Sequence, residues 1–483
     1  MSQIPSEADV VIIGSGAAGL TAAVTLAEGG ARVIVFEKQR SLGGTSNFFQ
    51  GTFAVESDMQ RAQYIMYTRD EAFKNIMEYS HWCANPRLVR TMVNESGRTI
   101  SWLQERGVDF SEVTINMPDS PRTYHVIRGM GEAVIKALVT RAKSQGVEIL
   151  ASASVTRLLK QGGRVSGVIV EINDEEAPVN ARAVVVASGG FANNREWIKK
   201  YAGFDLGLNL VPIGNTDKTG DGIRMAWEAG AAEEGVSLLE LYRVAPVGEE
   251  FAMGCHLELA GAQPDLWVDM RGRRFCDETV TFFDSSLGNA SARFGKDGHT
   301  FCLIDDAMVR RMAEKGIDKG VSVLSLPGTR LTGLVSEIKA ALEMGSKEIF
   351  AADTIEELAG KIDIEPATLR ATVDEYNGFC EKRHDDLFAK DPRYLWPLKT
   401  PRFYAIKART VFLGTMGGIR INEKTEVLDR KDEAIPGLYA AGFDAGGMYG
   451  DSYAIKCASG LASSFALTSG RIAGMSALKY LGK

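Results

Sequence analysis

The chain has 483 residues, 45% hydrophobic and 24% charged, with a formal net charge of −7. That length supports two or three domains around a large buried core, and the acidic balance argues against nucleic acid or anionic membrane as partners. No apolar run reaches transmembrane length, the start shows no signal-peptide pattern, and the six scattered cysteines (83, 255, 276, 302, 380, 457) form no C-x-x-C, which argues against zinc, attached haem or a disulfide framework. A reducing cytoplasm is the expected location.

The first element is an apolar run, Val10-Val11-Ile12-Ile13, short enough for a buried parallel strand. It passes through Gly14-Ser15-Gly16-Ala17-Ala18-Gly19 into a helical pattern, and a second apolar run, Val33-Ile34-Val35-Phe36, ends in Glu37. Strand, G-x-G-x-x-G, helix, strand and terminal acid together are the fingerprint of a dinucleotide site. Gly14 permits the turn, Gly16 lets a pyrophosphate approach the backbone, and Gly19 lets the helix pack on its strand. The helix N-terminus offers N–H groups and a positive dipole end to phosphate, and Glu37 is placed for ribose hydroxyls.

From Ala62 to Arg106 the apolar spacing is helical, and residues 129–146 predict another helix. Short strands follow at 147–150, 154–160 and 165–171, the last two joined by Gln161-Gly162-Gly163-Arg164, a hairpin signal. A buried strand, Ala183-Val184-Val185-Val186-Ala187, runs into Ser188-Gly189-Gly190. Periodicity loosens from about 237 to 350, the candidate for an inserted domain. Residues 353–388 predict two helices. The tail returns to strand, Gly-rich turn and a helix from Leu461 to Tyr480. Glycine-rich strand ends thus recur at 43–46, 187–190 and 440–447. Such recurrence suits a long cofactor lying across a sheet, FAD rather than NAD.

Gly14–Gly19, Glu37-Lys38, Gly43-Gly44-Thr45-Ser46, Asn215-Thr216-Asp217-Lys218-Thr219-Gly220-Asp221-Gly222, Gly272-Arg273-Arg274-Phe275-Cys276-Asp277-Glu278, Gly414-Thr415-Met416-Gly417-Gly418 and Ile435-Pro436-Gly437-Leu438-Tyr439-Ala440-Ala441-Gly442 run in order along nearly the whole chain. This series resembles that of the fumarate reductase/succinate dehydrogenase flavoprotein superfamily, to which soluble fumarate reductases, urocanate reductase and 3-ketosteroid dehydrogenases belong. The resemblance implies an α/β protein. A Rossmann-like FAD-binding domain (1–237 and 411–483) would be interrupted by a smaller α+β capping domain (238–410). It also implies hydride exchange between flavin N5 and a carbon–carbon bond activated by a carbonyl, with an external electron donor or acceptor that the sequence does not identify. Cofactor contacts would come from Gly14, Ser15, Gly16, Ala17, Ala18, Gly19, Glu37, Lys38, Gly43, Gly44, Thr45, Ser46, Ser188, Gly189, Asp221, Gly442, Asp444, Ser459 and Leu461. The succinate dehydrogenase branch attaches its flavin through a histidine near the second glycine motif; residues 43–60 contain none, so noncovalent FAD is expected.

Departures from the series bear on the substrate. No histidine precedes Gly414-Thr415, Phe282 stands where fumarate reductases carry a proton-donating arginine, and Tyr453 stands where they carry a carboxylate-clamping arginine. A dianion desolvated without cationic partners costs several kcal/mol per charge, which argues against fumarate. Gly414-Thr415 and Ser452-Tyr453 are closer to ketosteroid dehydrogenases, whose corresponding tyrosine hydrogen-bonds the substrate ketone. Their tyrosine base is absent near Phe282, and their following glycine is displaced to Gly460. Tyr453, Tyr449 and Lys456 are the catalytic candidates, and Phe282, His125, His256, Gly414 and Gly460 the substrate-side ones. The expected substrate is a small carbonyl compound, not a dicarboxylate, cyclic or aromatic, whose C=C bond is reduced or introduced. An electron-transfer flavoprotein and an FAD-dependent amine or hydroxy-acid oxidase remain the alternatives.

Overall fold

The computed structural model describes residues 4–483 except 215–216, 249–250, 253, 295–297 and 322–324; Asn215 and Thr216 of the motif series therefore lie outside the described residues. The chain divides into two compact units. One comprises residues 1–203, 214–240 and 413–483, the other 204–213 and 241–412.

The first unit is built on a Rossmann-like sheet. Strand Glu7–Ile13 is parallel to Val33–Glu37 on one side and to Glu175–Val186 on the other, with Val10 opposite Val33 and Ala183. Strand Glu148–Ala151 extends one edge. Ala434–Ala440, parallel to Glu175–Val186, and antiparallel Glu426–Leu428 extend the other. The central strands are buried on both faces, which is why they read as continuous apolar runs rather than alternating ones. The hairpin Ser154–Gln161/Arg164–Ile172 turns at Gly162 and Gly163, both at positive φ, as the tight turn between right-twisted strands requires.

Helix Ala17–Glu28 is almost wholly buried, and the C-terminal helix Leu461–Leu481 packs directly on it. A Cβ on Gly470 would lie 2.2 Å from the Ala18 carbonyl oxygen and one on Gly474 would lie 2.7 Å from Thr25 Cβ. Small residues on both helices are what permit this approach. Arg471 on the same helix is an ion-pair partner of Glu95.

The helical pattern read from 62 to 106 breaks in the middle, into helices Arg69–Tyr79 and Pro86–Gln104. The break has a local cause. The Asn85 side chain caps the second helix by accepting from the N–H groups of Arg87 and Leu88, and Pro86 occupies its first position. A three-stranded sheet of Gly51–Phe53, Phe110–Thr114 and Tyr124–Ile127 is tied to the start of the C-terminal helix. Phe53 N–H donates to the Gly460 carbonyl at 3.1 Å, and Ser463 Oγ donates to the Gly51 carbonyl at 2.8 Å.

The second unit centres on the long strand Phe403–Thr415, flanked by Thr300–Asp305 and Ile349–Ala352 in antiparallel register, with Leu266–Val268 beyond. Helices Ile355–Lys361 and Pro366–Lys382 pack into its apolar core. Among the described residues no helix is long and apolar enough to cross a membrane.

Candidate active site

Gly14, Ala187 and Ala441 each follow the last residue of a parallel strand, so the three glycine-rich turns meet at the carboxyl edge of the sheet, where open α/β sheets bind ligands. Two of the fingerprint glycines are fixed by packing. Gly14 has φ +102°, and a Cβ there would lie 2.3 Å from the Ala187 carbonyl oxygen; a Cβ on Gly19 would lie 2.0 Å from the Gly14 carbonyl oxygen. Gly16 differs: its nearest neighbour to a Cβ is Ser46 Oγ, at an ordinary 3.4 Å. Protein packing does not require glycine there. The open side of Gly16 leaves its backbone accessible, as the approach of a pyrophosphate would need. Gly16→Ala is therefore expected to leave the thermal midpoint of the FAD-free protein within about 2 °C of native, a surface-like effect, while weakening FAD binding at least tenfold by flavin fluorescence titration. Equal loss of both would remove the argument.

Around this turn the predicted cofactor residues form one hydrogen-bonded frame. Glu37 Oε2 accepts from Ser15 N–H (2.9 Å) and Ser15 Oγ (2.7 Å), and Gly43 N–H donates to Ser15 Oγ at 3.1 Å. Ser46 Oγ accepts from Ala17 N–H at 3.0 Å, and Thr45 Oγ1 donates to the Gly214 carbonyl. Gly44, at φ +50°, would present a Cβ to open space. Lys38 Nζ donates to Asp221 Oδ2 (2.8 Å) and Thr219 Oγ1 (3.1 Å), which ties the 217–222 turn to the second strand. Burial would raise the Asp221 carboxyl, but Lys38 outweighs it and holds it below the ordinary range. Asp444 is fully buried and accepts from the N–H groups of Ser188, Gly189 and Gly190, fixing the loop after Val186. Gly442, at φ +66°, sits 3.1 Å from Ala18 Cβ when given a Cβ of its own, and its N–H donates to Ser469 Oγ.

Lys218 is the residue of this frame that its motif did not single out. Its side chain lies beside Gly189, and its ammonium lies 5.8 Å from the centroid of the Phe443 ring. Desolvation lowers its pKa to about 8, although Asp444, Glu37 and Glu240 pull the other way. An enclosed cation beside the glycine turn at 188–190 fits a cofactor carrying a pyrophosphate.

The catalytic candidates fall into two groups. Tyr449 and Tyr453 are 1% and 8% exposed, with ring centroids 5.9 Å apart. Tyr453 Oη accepts from Ala462 N–H at 3.3 Å, so the N-terminus of the last helix holds it. Glu240, a buried residue of strand Leu239–Ala245 that the motif series passes over, is close enough to act on Tyr453 electrostatically. Burial raises Glu240 to about 8. Tyr124 is close enough to act on Tyr453 electrostatically. Lys456, by contrast, is exposed.

Gly460, at φ +79°, would bring a Cβ within 2.9 Å of Phe53 N, and Gly414 would bring one within 2.4 Å of Phe443 Cε2. Ser459 Oγ donates to the Ile455 carbonyl and Leu461 is buried at the helix start. His125 is completely buried, with Nε2 2.7 Å from Ser57 Oγ and Nδ1 3.0 Å from the Thr123 carbonyl. Burial lowers its pKa to about 4; both ring nitrogens are engaged, by Ser57 and Thr123. His256 and Phe282 belong to the second unit. His256 Nδ1 accepts from Gly333 N–H at 3.0 Å, and the Phe282 ring lies 5.0 Å from that of Tyr394.

The family model "FAD binding domain" matches residues 9–460. A vinyl phenol reductase of Lactiplantibacillus plantarum is 36% identical over 481 residues, covering 98% of this chain and 96% of that protein. A fumarate reductase (cytochrome) of Shewanella frigidimarina is 29% identical over 98% of this chain and 77% of its own length. The structure of a 3-ketosteroid delta1-dehydrogenase from Sterolibacterium denitrificans superposes with a TM-score of 0.78 at 20% identity, over 98% of this chain and all of that one, a likeness of fold. The chain belongs to the FAD binding domain family and is an FAD-dependent oxidoreductase of the fumarate reductase/succinate dehydrogenase flavoprotein superfamily.

Proposed function

We propose that this enzyme reduces a carbon–carbon double bond conjugated to a carbonyl or to a phenol ring, on an aromatic substrate that is not a dicarboxylate. The observation that carries the reading is the Tyr453 hydroxyl, buried, anchored by Ala462 N–H and packed beside the Tyr449 ring where fumarate reductases would carry an arginine. A dicarboxylate needs cations at its two ends. The charged or ionisable groups acting on Tyr453 are instead Glu240, Tyr449 and Tyr124. Two neighbouring phenols suit such a reaction: one, placed in advance, stabilises charge developing on a single substrate oxygen without solvent reorganisation, and the other supplies a proton.

When bound, noncovalently on this proposal, FAD supplies the hydride. Ser15, Gly16, Ser46 and Lys218 would hold its phosphates, and Glu37 its ribose. Tyr453 donates its proton to the carbon that does not receive the hydride. Tyr449, with no hydrogen-bond partner for its hydroxyl among the described residues, is placed to hold the substrate oxygen. The full-length similarity to a vinyl phenol reductase supports an aromatic alkene as substrate.

The test follows flavin absorbance anaerobically, starting from dithionite-reduced enzyme. We expect 4-vinylphenol or benzylideneacetone to reoxidise the flavin, with fumarate at least a hundredfold slower. Reoxidation by fumarate and not by the aromatic alkenes would sink the proposal. So would indifference to all three.

A further inference from the structure

The Tyr449 hydroxyl is buried and has no hydrogen-bond partner among the described residues. Its ring lies against those of Tyr453 and Phe465, at centroid distances of 5.9 and 5.6 Å. A side chain without a polar anchor is aimed by its backbone. If it is to meet a substrate oxygen, the turn that carries it has to be fixed.

That turn is held from outside its own segment. On one side, a Cβ on Gly446 would lie 2.3 Å from the Glu234 carbonyl oxygen. On the other lies the corner between helices Arg69–Tyr79 and Pro86–Gln104. Asn85 N–H donates to the Gly447 carbonyl at 2.7 Å. Gly450, at φ +62°, packs so closely that a Cβ would lie 2.5 Å from Ala84 N and 2.8 Å from the Cys83 carbonyl carbon. Residues 447 and 450 bracket Tyr449, and both are held by residues 83–85. The exposed His81–Asp451 pair beside them, at 2.9 Å, adds little in water. His81 and Trp82 have φ of +51° and +60°. Two successive non-glycine residues in left-handed backbone are costly and persist only where the surroundings over-determine them.

We infer that the 81–85 corner is a clamp that positions Tyr449, with the Asn85 N–H and the Gly450 contact as its two holds. This rests on the reading of Tyr449 as the group that holds the substrate oxygen. Asn85 is a positioning residue with two separable parts: its side chain caps the helix that begins at Pro86, and its N–H fixes the tyrosine turn. Its φ of −71° is one that proline adopts, so Asn85→Pro removes the N–H at an unchanged φ. Asn85→Ala removes the same cap and keeps the N–H, so the two variants differ in the hold on Gly447.

The experiment is anaerobic stopped-flow reoxidation of dithionite-reduced holoenzyme by 4-vinylphenol. FAD content, flavin midpoint potential and the rate of reoxidation by dioxygen are measured for each variant. Asn85→Pro is expected to react about tenfold to a hundredfold more slowly than Asn85→Ala, the loss that a misplacement of about 1 Å brings. FAD content, potential and the dioxygen rate should agree between the two, since dioxygen needs no donor to a substrate carbonyl or phenol. In a Tyr449→Phe background the same pair should differ by less than about threefold, because no hydroxyl is left to misplace. An Asn85→Pro rate within threefold of Asn85→Ala overturns the clamp. So does a tenfold loss that persists in the Tyr449→Phe background, or a parallel fall in the dioxygen rate. A native rate in Tyr449→Phe alone overturns the reading beneath it. If Asn85→Pro fails to retain FAD, Gly450→Ala measured against native enzyme decides by the same thresholds.

Discussion

Tyr453→Phe is expected to slow flavin reoxidation by an aromatic enone or vinyl phenol by a factor between a hundred and ten thousand. A positioned proton donor contributes about that range. The substitution keeps the ring, its packing against Tyr449 at 5.9 Å, and the volume of the site. What it removes is the acceptor of Ala462 N–H. An N–H left without a partner costs about 1–3 kcal/mol, so a small fall in thermal midpoint accompanies the rate loss. The two effects separate by comparison with Tyr449→Phe, whose hydroxyl has no partner among the described residues; that variant should keep native stability while losing about a hundredfold in turnover, the cost of one donor to a developing oxyanion. A Tyr453→Phe enzyme that holds FAD and turns over within threefold of native would refute Tyr453 as the donor.

What the sequence revealed follows from how local each signal is. The βαβ fingerprint, the Gly162-Gly163 hairpin and the last helix were legible because each is set within about twenty residues, by apolar spacing and by glycines at positive φ. Between 237 and 350 the pattern dissolves because strand Thr300–Asp305 finds its partner about a hundred residues onward, in Phe403–Thr415. Pairing across such a distance leaves no periodic trace in either segment. Glu240 was missed for the opposite reason: in Leu239-Glu240-Leu241 a single acid reads as one solvent-facing residue of a half-buried strand, and only the fold turns it toward Tyr453. His125 shows the limit of position within a motif. It sits beside a glycine-rich helix start, yet both its ring nitrogens are engaged by Ser57 and Thr123, and it is its neighbour Tyr124 that acts on Tyr453.

The second large effect concerns stability. The motif Gly272-Arg273-Arg274-Phe275-Cys276-Asp277-Glu278 was quoted for its place in the series, and the structure shows what Arg274 does. Its guanidinium forks onto Glu278 (Nε 2.9 Å, Nη2 2.8 Å) and onto Asp385 (Nη1 3.2 Å, Nη2 2.8 Å). Lys390 lies 3.2 Å from Glu278. The Arg274 side chain is 1% exposed and the side chains of Glu278, Asp385 and Lys390 are fully buried. Burial alone would raise the Asp385 carboxyl; Arg274 overcomes it and holds the group at about 2. Two carboxylates and two cations are thus neutralised inside an apolar core. Replacing Arg274 with Met keeps the length of the stem and leaves two buried carboxylates facing one lysine. Breaking a buried pair on one side costs about 3–5 kcal/mol, and Arg274→Lys should recover little, since an ammonium cannot fork onto two carboxylates. The prediction is a fall of at least 3 kcal/mol in the urea unfolding of the second unit, followed by a probe within it, such as Trp267 fluorescence. The pH dependence has a definite sign. Asp385 contributes stability above its unfolded value of 3.8 that is lost as pH falls toward 2, so native protein should weaken across that window and Arg274→Met much less. An Arg274→Met protein within 1 kcal/mol of native at pH 7 would show that the carboxylates had found other partners or had taken up protons at little cost.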